Sequence, residues 1–274
     1  MPELPEVETI RRGLSTRLPG QTITEVRVRQ AQLRHLVDVA SLQEHAIGRS
    51  ITAVDRRAKY LLMHLQPDRV LVWHLGMTGR LWVGPPVAQD ATHDHIIMTL
   101  GPALELRFHD IRRFGMCFLT TAAELPQHPR LRHLGPEPLS EAFSGTYLRE
   151  RARGLRKPIK NFLMDAAVVV GVGNIYASES LFLAGIRPTR AVGRIRPRQW
   201  DSLCTVIKEV LQLAIEHHGT SVSDYVDSEG RQGSFQNQLQ VYDRAGEPCH
   251  RDGQPIQRLV QAGRSTYYCP GCQR

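Results

Sequence analysis

Apolar residues near the N-terminus recur at helical spacing. Val7, Ile10, Leu14 and Leu18 lie three or four positions apart, which predicts an amphipathic helix with one buried face. The Pro-Gly pair at 19–20 predicts the end of this helix.

Short β-prone stretches dominate the chain from there to residue 120. Turn residues separate them, and this pattern predicts a sandwich or barrel rather than βαβ units. The predicted strands cover 23–29, 51–65, 70–77, 80–83, 96–100, 104–108 and 116–120.

Helical periodicity replaces this pattern after a linker at 134–139, where two prolines break regular structure. The predicted helices cover 142–152, 158–166, 175–184 and 197–217. A polar loop at 219–236 and a cysteine-bearing tail follow. We therefore expect an α+β multidomain protein with domains at 1–133, 134–237 and 238–274.

The composition is typical of a globular protein, but the charge is biased. Lys and Arg outnumber Asp and Glu by 35 to 27, which gives a net charge of +8. This balance indicates a polyanionic partner, with nucleic acid the first candidate, although a solvated basic surface needs no partner. No apolar run approaches the ~20 residues of a membrane span, and the N-terminus is too charged for a secretory signal. We expect a cytoplasmic protein.

The first residues carry candidate chemistry. Removal of Met1 would expose the secondary amine of Pro2, and an α-amino group has a pKa near ~7.8, against ~10.4 for lysine. Such an amine can attack an aldehyde carbon and form an iminium. Glu3 and Glu6 lie within one helical turn and could move the required protons. The alternative is ordinary helix-start chemistry, with Pro in the first turn and acids near the positive end of the dipole.

Five cysteines without a secretory context argue against a disulfide framework. Cys117 and Cys204 lie in apolar surroundings, which indicates core positions. The tail instead resembles a zinc ribbon, with its four candidate ligands at Cys249, Asp252, Cys269 and Cys272. Asp252 stands where a cysteine is expected, but a carboxylate also binds zinc. His250 is a rival fourth ligand, and a hairpin held by packing alone is the alternative to a metal site.

Two further segments could contact nucleic acid. Asn174 follows glycines between two predicted helices, so it is a candidate N-cap beside a phosphate site, although a plain capped turn has the same pattern. In the segment 109–115, Arg112 and Arg113 precede Phe114. An aromatic ring or a Met such as Met77 can wedge between bases while Arg reads a base edge, but either apolar residue alone is more typical of a core.

Taken together, the chain resembles the bacterial formamidopyrimidine-DNA glycosylases, repair enzymes that remove 8-oxoguanine and ring-opened purines. The resemblance covers essentially the whole chain. Its motifs are the opening PELPEVE, RRAKY at 56–60, HLGM at 74–77, HDIRRFG at 109–115, LGPEPL at 134–139, GVGNIYASE at 171–179 and GRST at 263–266.

The resemblance implies a β-sandwich N-terminal domain with an N-terminal helix, a helix–two-turn–helix domain and a C-terminal zinc-finger-like β-hairpin, with double-stranded DNA in the cleft between. It also implies a monomer. Pro2 would attack the anomeric carbon of the sugar, Glu3 would act as general acid/base, and Glu6 would orient the opened sugar. Lys59 would assist β-elimination, and Arg264 would assist δ-elimination.

The remaining implied roles are contacts to DNA. His74, Lys160 and Asn174 would bind backbone phosphates. Met77, Arg112 and Phe114 would fill the space left by the extruded base, whose extrusion gives the nucleophile access to the glycosidic carbon. The loop around 221–235 would cover that base. His93 and His95 would shape the DNA-facing surface, although structural hydrogen bonding would explain them equally well.

Two residues depart from the family pattern. Asp252 replaces a zinc cysteine, and Ala58 replaces the usual glycine before Lys59, a minor change unless the backbone there requires a positive φ. Two other functions fit similar motifs: an endonuclease VIII-like glycosylase for oxidised pyrimidines, and a damaged-DNA binder without catalysis. We expect an active enzyme that works on the bacterial nucleoid.

Overall fold

The computed structural model describes residues 2–101, 103–220 and 233–274. The chain divides into two compact units. The first comprises Met1–Arg132 and His217–Ser234, and the second comprises His133–Glu216 and Phe235–Arg274. None of the helices in these described ranges combines the length and apolar character that a membrane crossing needs.

The first unit contains a β-sandwich behind an N-terminal helix. Its helices are α1 (Leu4–Ser15) and α2 (Val39–Ala46). Its strands are β1 (Ile23–Val28), β2 (Ile51–Arg57), β3 (Tyr60–Leu65), β4 (Arg69–His74), β5 (Arg80–Gly84), β6 (Asp94–Leu100), β7 (Glu105–His109) and β8 (Met116–Thr121). They form two antiparallel four-stranded sheets, in the orders β1-β6-β7-β5 and β2-β3-β4-β8.

One hydrophobic core joins the two sheets and α1. Leu14 of α1, Trp73 of β4 and Phe108 of β7 are fully buried in it. The rings of Trp73 and Phe108 lie 5.3 Å apart, in a tilted contact. Because both sheets turn alternate apolar side chains inward, the β-sandwich implied by the family resemblance is confirmed, and of the two architectures that strand spacing allowed the barrel is not the one formed.

Several elements in this unit differ from the prediction; the strand predicted at 70–77, for example, ends at His74. The stretch 51–65 is two strands rather than one, because the chain turns at Ala58, whose φ is +56°. Helix α1 ends at Ser15, although Leu18 stays buried beyond it. Helix α2 was not predicted, and it begins where the Asp38 side chain accepts a hydrogen bond from Ser41 N.

The second unit is helical and ends in a β-hairpin. Its helices are α3 (Gly145–Ala152), α4 (Ile159–Leu163), α5 (Asn174–Leu183) and α6 (Pro197–Glu216), and the hairpin strands are β9 (Gln257–Gln261) and β10 (Arg264–Tyr268). Helices α3 and α4 are shorter than predicted. Helix α3 starts late because Ser144 caps it by accepting from Tyr147 N, and Gly145 packs closely against Asp201 of α6.

Candidate active site

The N-terminal residues stand beside two buried carboxylates. Pro2 is half-buried, and Glu3 and Glu6 are each 2% exposed. Glu6 Oε2 accepts a hydrogen bond from Glu3 N at 2.7 Å, which completes a capping box at the start of α1. Glu6 Oε1 accepts from Thr220 N at 2.8 Å. Glu6 therefore fixes the backbone that carries Pro2 and Glu3, and it does so from a desolvated position.

Gly219 makes this second contact to Glu6 possible. Its φ of +79° is in the left-handed region, and an added Cβ would lie 2.8 Å from Glu6 Oε1. A side chain at this position would therefore meet both backbone strain and the carboxylate. The position was not predicted, because its partner is more than two hundred residues away along the chain. The predicted base-covering loop, 221–235, begins just after it and lies largely outside the described residues.

Lys59 and His74 lie on neighbouring strand ends of the first unit. The tight turn between β2 and β3 presents Lys59, while His74 ends β4 and pairs with Tyr60 in the ladder. Burial and the nearby positive charges of Lys59, Arg34 and Arg130 lower the pKa of His74 to about 4. Its Nδ1 accepts from Gly76 N at 3.0 Å, which leaves Nε2 to carry the proton. His74 is thus a neutral hydrogen-bond donor within a cationic cluster.

A buried aspartate connects the two loops that carry the predicted wedge residues. Asp110 is fully buried, and its carboxylate accepts from Thr78 Oγ1 at 2.6 Å and from Gly115 N at 2.7 Å. Thr78 Oγ1 in turn accepts from Arg112 N. These bonds hold the loop 74–79 against the loop 109–115. Asp110 was not singled out in the sequence, although it is part of the HDIRRFG motif.

The tips of these loops border a cavity of about 580 Å³ lined in part by Met77, Arg112 and Phe114. Met77 is 38% exposed and Phe114 is 42% exposed, so neither is a core residue. The Arg112 guanidinium lies 4.7 Å from the centre of the Phe114 ring. Gly76 allows the loop 74–79 to lie against the backbone of Phe114, since a Cβ at this position would lie 2.4 Å from that backbone. The three predicted void-filling residues are therefore assembled on one surface.

The neighbouring histidines divide into two types. His95 is buried, and its Nε2 bonds the Asp110 carbonyl at 2.8 Å, which is a structural role. His93 is half-buried and lines a polar cavity of about 360 Å³ together with Arg113. Arg113 is exposed and adopts a φ of +55°.

Lys160 and Asn174 are bonded to each other in the second unit. Lys160 is 1% exposed, and its Nζ bonds Asn174 Oδ1 at 2.6 Å, Thr266 Oγ1 at 2.7 Å and Ser265 O at 3.1 Å. Asn174 Nδ2 donates to Ser265 O at 2.9 Å. Asn174 was predicted to be the N-cap of α5, but it is the first helical residue, and Gly173 is the N-cap. Lys160 thus connects α4, α5 and the hairpin, in addition to any role toward DNA.

Glu179 provides a second connection to the tail. Its carboxylate is buried and accepts from the backbone amides of Gln240, Val241 and Tyr242 at 2.8–3.0 Å. Burial raises the pKa of Glu179, and the three amides act in the opposite direction. The GVGNIYASE motif therefore carries two anchors for the C-terminal segment, Asn174 and Glu179, of which only Asn174 was predicted to have a function.

The four predicted metal ligands converge. One ligand atom from each of Cys249, Asp252, Cys269 and Cys272 lies within 4.8 Å of the others. The Sγ atoms of Cys249 and Cys272 are 3.8 Å apart, close to the edge of about 3.8 Å that a tetrahedron with Zn–S bonds of about 2.3 Å requires. Asp252 oxygens lie 3.3 Å from Cys269 Sγ and Cys272 Sγ. Three sulfurs and one carboxylate in this geometry fit zinc.

Electrostatics and packing agree with a cation in this cluster. Burial and the neighbouring Asp252 carboxylate raise the pKa of Cys272 to about 12, a shift that a divalent cation bound between them would reverse. Gly271 leaves room for the carboxylate, since a Cβ there would lie 2.2 Å from Asp252 Oδ2. His250 instead faces Arg244 and Gln240, which leaves Asp252 as the candidate fourth ligand.

Arg264 is placed by the hairpin that this cluster supports. Ala262 and Gly263 both have positive φ and form the turn, and Arg264 begins β10 opposite Gln261. The Arg264 side chain is exposed. The turn therefore presents a guanidinium at the tip of a short hairpin.

Comparison with known proteins finds similarity along the whole chain. Family models match residues 1–117 (formamidopyrimidine-DNA glycosylase N-terminal domain), 134–226 (its H2TH domain) and 246–274 (zinc finger found in FPG and IleRS). The Marinobacter nauticus formamidopyrimidine-DNA glycosylase is 49% identical, with complete coverage of both chains. A Lactococcus lactis FPG mutant bound to DNA containing Fapy-dG has a TM-score of 0.94 at 36% identity, also with complete coverage. L. lactis Fpg bound to abasic-site DNA has a TM-score of 0.93 at 36% identity over 99% of each chain.

Proposed function

The chain belongs to the formamidopyrimidine-DNA glycosylase family, and we propose that Pro2, once Met1 is removed, is the nucleophile with which it excises damaged bases. It is a DNA glycosylase of base excision repair. The assignment of Pro2 rests on the two buried carboxylates beside it, those of Glu3 and Glu6. The Glu6 carboxylate also accepts a hydrogen bond from the backbone of Glu3 and another from Thr220 N.

The first step is displacement of the base. The Pro2 nitrogen forms a bond to C1′ of the deoxyribose while the N-glycosidic bond breaks, and the base leaves with the bonding electron pair and takes up a proton. Opening of the C1′–O4′ bond then gives an iminium on Pro2, with the Glu3 carboxyl protonating O4′. Glu6 keeps the amine and Glu3 in register because its two oxygens are already committed to backbone amides.

Strand cleavage follows by two eliminations. Loss of a C2′ proton from the iminium expels the 3′ phosphate, and a second elimination expels the 5′ phosphate, leaving a gap with phosphates on both ends. Lys59 assists the first and Arg264 the second by offering positive charge to the departing phosphate. Their placement on the turn between β2 and β3 and beside the hairpin turn supports these roles, because paired strands fix the backbone of both residues.

DNA binding uses both units. His74 and Asn174 donate to backbone phosphates, and Lys160 fixes Asn174 through its 2.6 Å bond. Met77, Arg112 and Phe114 enter the space left by the extruded nucleotide, with Arg112 bonding the orphaned cytosine. Arg113 and His93 contact the duplex beside them. We expect oxidised purines opposite cytosine to be the preferred substrates, and we expect the monomeric enzyme to act on the chromosome in the cytoplasm.

Zinc supports the hairpin and takes no part in the reaction. Cys249, Asp252, Cys269 and Cys272 hold it, and its chemistry there is to neutralise their charges and fix the fold of the tail.

Borohydride trapping tests the proposal. A duplex with 8-oxoguanine opposite cytosine should give a covalent adduct, and peptide mass analysis should locate it on Pro2. Pro2→Gly should trap far less, and a tetrahydrofuran duplex, which has no anomeric leaving group, should trap nothing. If the wild-type protein binds the tetrahydrofuran duplex tightly yet traps no lesion, the chain is a DNA binder without catalysis. Faster excision of thymine glycol than of 8-oxoguanine would instead assign it to the endonuclease VIII type.

A further inference from the structure

Positive charge is concentrated in two segments of the second unit that flank Lys160 and Asn174 in the sequence. The segments 149–157 and 187–198 together hold ten Arg and Lys and a single acid, Glu150. Their net charge of +9 exceeds the +8 of the whole chain. The remainder of the protein is therefore close to neutral, so the basic character of the chain comes mainly from this region.

The two segments meet at a cavity of about 500 Å³. The last turn of α3 supplies Arg149, and Arg153 follows the end of this helix. The stretch before α6 supplies Val192 and Ile195, and Trp200 of α6 also lines the cavity. Both arginines are exposed, and among the described residues neither guanidinium has a hydrogen bond or ion pair. Trp200 is only 2% exposed and packs edge-on against Phe162, 5.8 Å away. The cavity thus has an apolar interior and a cationic rim.

We propose that this cavity docks an acidic peptide segment of a partner protein, with one apolar side chain of that segment seated against Trp200 and its flanking carboxylates bound by Arg149 and Arg153. The mixed lining favours this occupant over duplex DNA. A duplex offers phosphates but no apolar group of this size, whereas an apolar anchor between acidic residues matches both parts of the cavity. Glu150 on the same rim opposes an anionic ligand, and its removal should therefore help binding.

The docking surface shares no residue with the proposed active site. None of its lining residues is among those assigned to phosphate, base or zinc, all of which lie elsewhere in the sequence.

Fluorescence anisotropy with a defined probe tests the proposal. The probe is a short labelled peptide with a phenylalanine flanked on both sides by aspartates. Arg149→Glu and Arg153→Glu should each weaken its binding at least about tenfold, because each reversal replaces attraction with repulsion. Arg151→Glu is the matched control: it lies on the same helix and makes the same charge change, but its guanidinium contacts Ala167 O outside the cavity. It should change the affinity less than about twofold.

Further arms separate the possible outcomes. Probes with Asn for Asp, or Ser for Phe, should bind weakly, and Glu150→Gln should tighten binding of the original probe. Each variant is also titrated with undamaged duplex and assayed for 8-oxoguanine excision, which should stay at the wild-type level. No binding of the probe to the wild-type protein, or equal binding to all variants, overturns the proposal. Loss of duplex affinity in Arg149→Glu and Arg153→Glu, without specific peptide binding, would assign the surface to DNA instead.

Discussion

At the scale of single residues, Ala58 shows how one Cβ atom affects the turn that carries Lys59. It adopts a φ of +56° between β2 and β3, immediately before Lys59, where the family usually has glycine. The departure that looked minor in the sequence is therefore a strained position, because a left-handed backbone costs a residue with a Cβ roughly 1–2 kcal/mol.

Replacing Ala58 with glycine should therefore stabilise the protein. Relief of the strain outweighs the larger entropy that glycine loses on folding, for a net gain of about 0.5–1 kcal/mol in the free energy of unfolding. The matched control is Ala53→Gly in strand β2, where φ is not positive and the same change should destabilise. Chemical denaturation of the three proteins measures both effects. A loss of stability in Ala58→Gly would contradict the strain argument.

His74 makes a prediction about pH. Its folded pKa of about 4 lies below the ordinary 6.5, so the unfolded chain takes up the proton first as the pH falls. The stability that His74 contributes is present above pH 6.5 and is lost progressively down to pH 4, by up to about 3 kcal/mol. His74→Asn keeps an acceptor for Gly76 N but cannot titrate, so its unfolding free energy should fall less over this window. Parallel curves for the two proteins would contradict the shift.

At the scale of elements, glycines and one aspartate determine how the loops meet. Asp110 joins the loops 74–79 and 109–115, while Gly219 lets the backbone after α6 reach Glu6. Both arrangements depend on contacts between segments that are distant in sequence. The motifs identified the residues at the loop tips, but local sequence patterns carry no information about the buried groups that hold the loops together.

Gly219→Ala should impair catalysis more than stability alone explains. The new Cβ would press on Glu6, and a displacement of this size in a catalytic constellation can lower the rate at least about tenfold. Gly20→Ala is the matched control, since Gly20 has a φ of +84° but nothing within 4 Å of the added Cβ. Both variants should lose similar backbone stability, yet only Gly219→Ala should lose single-turnover excision of 8-oxoguanine. Equal activity in the two would show that Glu6 tolerates the shift.

At the scale of the whole molecule, much of the architecture could be predicted, because helix and strand periods reflect burial directly. The sandwich, the helical region and the metal hairpin all followed from spacing or from family motifs. Other features could not be predicted, because they depend on contacts between residues that are distant in sequence or on the local backbone conformation. They are the turn at Ala58, the three hydrogen bonds of the buried Lys160 ammonium, and the hydrogen bonds that His250 makes away from the metal cluster. The net charge of the chain follows from the sequence, but the cavity that brings Arg149 and Arg153 to the same rim as Trp200 could not be predicted from it.

Zinc removal provides the last prediction, because the metal ligands and the nucleophile belong to different compact units. Chelation should release the hairpin that positions Arg264, and it should disturb the contacts of Lys160 and Asn174 to Ser265. DNA affinity and the second elimination should fall, whereas borohydride trapping at saturating protein should persist, since Pro2, Glu3 and Glu6 do not depend on the tail. Asp252→Ala should behave like the chelated protein, whereas Asp252→Cys should bind zinc and keep the DNA affinity of the wild-type protein. If stripped protein keeps its wild-type affinity for an abasic duplex, the hairpin is held by packing rather than by the metal.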